Sequence, residues 1–137
     1  MPAVLLSVST NAHKECLDLT GAVREAVRDS GVTNGLCHVM VLGATAAVII
    51  NENDDPNIGV DLLRALDTAV AEHDNWLHDR VDNNAQSHIL ASMLGPSETV
   101  PVVDGELLLG TWQALMLVEL DGPRQLRRVS VQLIAGQ

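Results

Sequence analysis

The chain has no phenylalanine and no tyrosine, and its tryptophans are only two, Trp76 and Trp112. Its core therefore has to be aliphatic, and a hydrophobic content of 47% is enough to build one. Basic residues are scarce as well. Lys14 is the only lysine, and 8 Lys and Arg stand against 18 Asp and Glu, for a net charge of −10. Binding to a phosphate backbone needs clustered Lys and Arg, so nucleic acid is excluded as the main partner. The one basic group, Arg124, Arg127 and Arg128, is too small for a duplex. It could hold one phosphate, or it is a solvated strand surface. No apolar run approaches the roughly 18 uncharged residues that span a membrane. The N-terminus has no basic stretch before its apolar run, so it reads as a strand rather than a signal peptide. The two cysteines, Cys16 and Cys37, lack CxxC or zinc-finger spacing. Cys37 reads as a small buried hydrophobe and Cys16 as exposed, and a reducing cytoplasm is the default location.

At 137 residues the sequence suits a single domain, 1–137. Residues 3–9 read as a strand. Thr20 caps a helix to Ser30, with Ala22, Val23, Ala26 and Val27 on one face and Gly31 as its stop. Residues 35–42 and 46–51 read as strands, with Gly43-Ala44-Thr45 as a bend. Asp55-Pro56 opens a second helix carrying Leu62, Leu63, Leu66 and Val70, and residues 84–94 form a third. The remainder is β: 98–103, an Asp104-Gly105 hairpin turn, 106–109, 114–120 and a last strand. In that last strand Val129, Val131 and Leu133 alternate with Arg128, Ser130 and Gln132. Antiparallel hairpins with helices grouped apart point to an α+β fold with two to three helices.

Three polar groups carry candidate chemistry. Asn51-Glu52-Asn53-Asp54-Asp55 ends a strand before a helix. Its carboxylates could hold a divalent cation such as Mg, or the run is a polar connection in which Asp55 only caps. His73, His78-Asp79, Asp82-Asn83-Asn84 and His88 form the second group, with His78 and His88 as candidate ligands for a metal such as Zn. Their spacing is no zinc signature, and Asp82 or Asn83 is a candidate cap for the third helix. The third group is Thr111, Gln113 and Glu119. Gln113, Leu115, Leu117 and Glu119 share a strand face, which makes that face mostly buried with polar rims. Trp112 faces the other way and reads as core or interface. No GxSxG, P-loop, GxGxxG or reactive-Cys motif occurs.

Several of these motifs occur together and in order. They are Asn51-Glu52-Asn53-Asp54-Asp55-Pro56, His78-Asp79, Asp82-Asn83-Asn84-Ala85-Gln86-Ser87-His88, Leu94-Gly95-Pro96-Ser97, Pro101-Val102, Gly105, Gly110-Thr111-Trp112-Gln113 and Glu119. In this the sequence resembles the YjbQ family, also called the secondary thiamine-phosphate synthase family. The resemblance implies a compact α+β domain assembled as a homotrimer and a pocket lined by the polar motifs. It also implies weak thiamine-phosphate synthase activity, in which a pyrimidine methyl pyrophosphate joins a thiazole phosphate and pyrophosphate leaves. On this reading His88, Glu52 and Asp55 are the catalytic candidates. Thr45, Asp82, Asn83, Gln113 and Glu119 would bind a small phosphorylated or polar ligand, and His78 and His88 would hold a divalent metal, Mg or Zn. Two departures stand out. The histidine that the family usually carries ahead of the Asn-Glu-Asn motif is Gly43 here, and a lysine common two residues after the helix histidine is Leu90. Loss of an imidazole removes a metal ligand or general base, so the alternative is a divergent member that binds a ligand without catalysis.

Overall fold

The computed structural model of the chain describes residues 2–137. Its strands are β1 (Val4–Val8), β2 (Glu15–Asp18), β3 (Gly35–Val41), β4 (Ala46–Asn51), β5 (Ser97–Val103), β6 (Glu106–Leu107), β7 (Ala114–Glu119) and β8 (Arg127–Ala135). The helices are α1 (Thr20–Ser30), α2 (Asn57–Ala69) and α3 (Ala85–Leu94), with a 3₁₀ turn at Leu77–Arg80. All strand pairings are antiparallel. They form a five-stranded sheet ordered β1-β8-β3-β5-β6 and a three-stranded sheet ordered β2-β7-β4.

The main core lies between the inner faces of the two sheets and is closed by α1. Val39, Val41, Val129, Val131 and Leu133 from the larger sheet meet Val48, Leu115 and Leu117 from the smaller one, with Val23 and Val27 of α1. A second cluster joins Ala47, Val118 and Leu120 to Leu66 of α2 and to Leu90 and Ala91 of α3. The small sheet is thus covered on both sides, and every residue of β7 is buried. This explains the limit of the rim-and-face expectation for that strand. Alternation shows which residues share a face, but a continuous apolar strand covered on both faces leaves only its flanks wet.

Most elements fall where the residue pattern places them, and the exceptions have local causes. Strand β2 lies in a polar stretch that carries no alternating apolar signal. Helix α1 is capped by Asp18, not Thr20: Asp18 Oδ1 accepts the Thr20 N–H at 2.8 Å. Thr20 instead ties α1 to β7, since its hydroxyl accepts the Leu115 N–H at 2.9 Å. Gly31 ends α1 in the left-handed region, φ 72°. Asp55 Oδ1 accepts the Asn57 N–H at 2.9 Å and so does cap α2. The cap of α3 is neither Asp82 nor Asn83 but Asp79, whose Oδ1 accepts the Ala85 N–H at 2.9 Å. At the β5–β6 hairpin, Asp104 (φ 51°) and Gly105 (φ 78°) both have positive φ, as a two-residue primed turn requires. Strand β6 is shorter than the expected 106–109 because the chain leaves the ladder after Leu107.

Two polar contacts lock the layers. Gln86 of α3 is 3% exposed and accepts from Lys14 Nζ at 2.8 Å, while its own amide donates to Asp67 and to the Val70 carbonyl. The second is a buried ion pair, Glu119 with Arg127. Arg127 extends the inward face of Val129, Val131 and Leu133, and Glu119 extends the face of Leu115 and Leu117. Strand alternation therefore sends both into the space between the sheets. The expectation of a solvated Arg127 is corrected accordingly: its side chain is 7% exposed.

Candidate functional site

The polar motifs separate into two cavities that share no lining residue. The larger, about 470 Å³, is lined by Asp18, Thr20 and Arg24 from the start of α1, Asn53 and Asp54 from the β4–α2 connection, and Thr111, Trp112, Gln113 and Ala114 leading into β7. Trp112 is 61% exposed, so its indole forms an open wall, and the core reading for it is overturned. Asn53 Nδ2 donates to Asp18 Oδ2 at 2.9 Å, which pins the two walls together. Gln113 Oε1 accepts the Gly110 N–H at 2.7 Å, closing the Gly-Thr-Trp-Gln turn and leaving the Gln113 amide N–H groups for another acceptor. Burial alone pushes the Asp18 carboxyl up, but hydrogen bonds from Asn53 and Thr20 and the charge of Arg24 outweigh it. The net shift is downward, so Asp18 is ionised at neutral pH.

The smaller cavity, about 230 Å³, is lined by Gly43, Ala44, Ala46, His88, Ala91, Ser92 and Pro96. The position where the family resemblance expects a histidine therefore opens onto the cavity that holds His88. His78, at the 3₁₀ turn, lies edge-to-face against His88, with ring centroids 4.7 Å apart and planes at 82°. Among the described residues, no group of three or more His, Cys, Asp or Glu side chains is placed to hold a metal ion. The donor set of this chain alone therefore does not fit the divalent metal that the motifs imply.

The other candidates lie apart. Glu52 and Asp55 flank the cleft residues Asn53 and Asp54; Glu52 Oε2 faces the Asp55 N–H at 3.4 Å, and Asp55 is committed to capping α2. Asp82 and Asn83 are exposed in the turn before α3, where Asn83 adopts φ 51°. Thr45 is buried, and its hydroxyl accepts from Arg127 Nη2 at 2.9 Å. Glu119 is 0% exposed and faces neither cavity. Its carboxylate accepts from Arg127, from the Thr10 hydroxyl at 2.8 Å, and from the Leu120 and Asp121 N–H groups at 3.1 and 3.2 Å. Leu90 is 0% exposed in the α2–α3 cluster, so a lysine there would point into the core. Its absence removes no cavity-facing cation.

Sequence reasoning missed Asp18 and Arg24 as cleft residues. Thr20 and Arg24 stand at i, i+4 on α1 and Asp18 precedes Thr20 by two, so a shared helix entrance was visible. That this entrance faces the Gly-Thr-Trp-Gln turn depends on the pairing of β2 with β7.

Comparison with known proteins places these features in a family. The sequence profile described as "UPF0047 protein YjbQ-like" matches residues 5–136. A UPF0047 protein of Methanothermobacter thermautotrophicus is 41% identical over 127 residues, 92% of this chain and 88% of that protein. The UPF0047 protein YugU of Bacillus subtilis is 36% identical, covering 87% of this chain and 89% of its own. Among solved structures, a protein of unknown function from Sulfolobus solfataricus superposes with a TM-score of 0.94 at 36% identity, covering 98% of this chain and 96% of that one. A hypothetical protein from Aeropyrum pernix K1 gives a TM-score of 0.94 at 37% identity, covering 99% of this chain and 100% of its own. A profile match across nearly the whole length, with a shared α+β fold of curled antiparallel sheets, shows that the chain belongs to the YjbQ-like UPF0047 family.

Proposed function

We propose that this chain is a ligand-binding member of its family that takes a small polar ring compound in the Trp112 cleft and has lost the synthase reaction the resemblance implies. The observation that carries the reading is the composition of the 470 Å³ cleft, where an open indole stands beside two carboxylates, Asp18 and Asp54, and one guanidinium, Arg24. The indole face stacks a planar ring, a contact worth about 1–3 kcal/mol where the ring is a nucleobase. The ionised Asp18 accepts from ring amino groups, and the free Gln113 amide donates to a ring nitrogen. A leaving pyrophosphate needs concentrated positive charge, whereas this cleft has one cation against two anions. His88, the main acid–base candidate, lies in the other cavity beside a glycine.

The test uses tryptophan fluorescence in a Trp76→Phe background, so that Trp112 is the only reporter. Titration with the hydroxymethyl aminopyrimidine should quench saturably, and Asp18→Asn should weaken binding about tenfold, the loss expected for one charge-assisted hydrogen bond. Absence of quenching would overturn the cleft assignment. Pyrimidine methyl pyrophosphate with thiazole phosphate and Mg should yield no thiamine phosphate above the uncatalysed level; turnover would restore the synthase reading. Retention of Asn53 and Gln113 at the cleft wall is what favours that second reading. Homotrimer assembly and a single domain belong to the same proposal. Leu5, Leu36, Met40 and Ile134 leave an exposed apolar face on the larger sheet, which association would cover, and light scattering reads the mass directly. The two free thiols accord with a cytoplasmic location.

A further inference from the structure

Arg127 has donors that the fold does not use. A guanidinium carries five N–H groups. Nε donates to both Glu119 oxygens at 3.0 and 3.2 Å, and Nη2 donates to Glu119 and to the Thr45 carbonyl and hydroxyl at 3.2 and 2.9 Å. Nη1 makes no hydrogen bond among the described residues. Among the described residues the one fully enclosed side-chain nitrogen or oxygen without a partner is Asn84 Oδ1, so Nη1 is not fully enclosed although the side chain is only 7% exposed. A buried, oriented guanidinium with one free edge is an unusual feature, because such groups are normally satisfied.

The opening lies at Gly43. A Cβ on that residue would stand 2.8 Å from Arg127 Nη1. The backbone of Gly43 is outside the left-handed region, so its conformation does not call for glycine. What the missing side chain does is leave Nη1 uncovered on the Gly43 side, and Gly43 in turn lines the 230 Å³ cavity together with Ala44, His88 and Ser92. The bend at residues 42–45 carries the chain from the larger sheet to the smaller one. It is held on both sides, by Leu42 N–H to the Arg128 carbonyl at 2.9 Å and by Leu120 N–H to the Thr45 carbonyl at 3.2 Å. The opening is therefore part of the scaffold.

We propose that Gly43 uncovers an oxyanion site, in which a phosphate group enters the cavity beside His88 and accepts hydrogen bonds from the Nη1 edge of Arg127. The pairing of Arg127 with Glu119 does not cancel its attraction for an anion, because Glu119 is also held by Thr10 and by the Leu120 and Asp121 amides. The Nε/Nη2 fork is taken up by Glu119 and Thr45, so an oxyanion here accepts from the two N–H groups of Nη1 alone. On this account the change from histidine to glycine at residue 43 exchanges an imidazole for access to a guanidinium already in place. The site is independent of the Trp112 cleft.

The experiment measures inorganic phosphate and glycerol phosphate binding to the full chain by ³¹P NMR line broadening, with the thermal midpoint recorded for each variant. Gly43→Ala brings a methyl group to 2.8 Å from Nη1, so the guanidinium must give way; it should weaken phosphate binding by about tenfold or more, and the midpoint reads what that shift costs the Glu119 pair. His88→Gln, a change at a half-buried position on the far wall, should weaken it more modestly. Tighter binding of the ester than of the free anion would identify a phosphorylated compound as the occupant, and equal binding the free anion; both support the site. No broadening at millimolar phosphate in the parent, or unchanged binding in a folded Gly43→Ala, would overturn it. Trp112 quenching should be unaffected by Gly43→Ala, so failure here and failure of the cleft reading are separable.

Discussion

Replacing Arg127 by alanine tests how the two sheets are locked. The substitution leaves the Glu119 carboxylate with no exposure and with only the Thr10 hydroxyl and the Leu120 and Asp121 N–H groups as partners. It also removes the Arg127 donor from the Thr45 hydroxyl, and leaves the Thr45 carbonyl with the Leu120 N–H alone. Breaking a buried pair by removing one partner costs about 3–5 kcal/mol, a large part of the roughly 5–15 kcal/mol that holds a domain together. Arg124→Ala is the control. Its pair with Asp121 at 3.0 Å is an i, i+3 contact with Arg124 half exposed, worth at most about 1 kcal/mol. The acid response gives a second readout. Burial pushes the Glu119 carboxyl up, but hydrogen bonds from Arg127, Thr10 and Asp121 and the charge of Arg127 outweigh it, so the folded value lies below the ordinary one. For a lowered carboxyl, the stabilisation is present above the unfolded value and is lost as pH falls through the folded value. In Arg127→Ala, burial acts with less opposition and protonation relieves the unpaired charge. The gap between parent and variant should therefore narrow as pH falls through the carboxylate range. Urea unfolding followed by circular dichroism at neutral and acid pH measures both. A loss below about 1 kcal/mol at neutral pH, or a gap that stays constant in acid, would refute the reasoning.

Other expectations follow from single positions. Leu90→Ala should cost about 2–5 kcal/mol by emptying the α2–α3 cluster, and Leu90→Lys should cost at least as much without improving phosphate binding; chemical denaturation and ³¹P titration check the two halves. Gly35→Ala would drive a Cβ into the Ile134 carbonyl oxygen of the neighbouring strand, so it should lower stability by about 1–3 kcal/mol or more, read from the urea midpoint. Burial raises the Cys37 thiol to about 11, and the residue is 0% exposed. Alkylation at neutral pH should therefore reach Cys37 only at the rate of unfolding, while half-buried Cys16 reacts sooner; peptide mass mapping over time distinguishes them.

Much of the architecture was legible because it rests on local rules. The Asp104-Gly105 turn, the glycine stop after α1 and the Asp55-Pro56 entrance to α2 each express a backbone preference of the residues themselves. The alternation in β8 identified its inward face, and continuing it by one step to Arg127 would have foretold a buried guanidinium. The polar residues were harder, because a carboxylate or hydroxyl looks the same in sequence whether it caps a helix, joins an ion pair or faces a cavity. Asp18, Asp79 and Glu119 are examples, and long-range pairing decides each of them. Of the core and interface readings for Trp112, the core one failed for the same reason: nothing near it in sequence says that the β7 entrance leaves its indole uncovered within the chain.

The sequence by itself determined the family, the helices, most of the strands and an aliphatic core, since these follow from residue order, spacing and period. Only the tertiary structure decided which polar groups meet. The pairing of β2 with β7 brings the start of α1 to Trp112, and the crossing from β3 to β4 lays Gly43 against Arg127, a residue 84 positions later in the chain. Such meetings depend on sheet order and register, which no local pattern encodes.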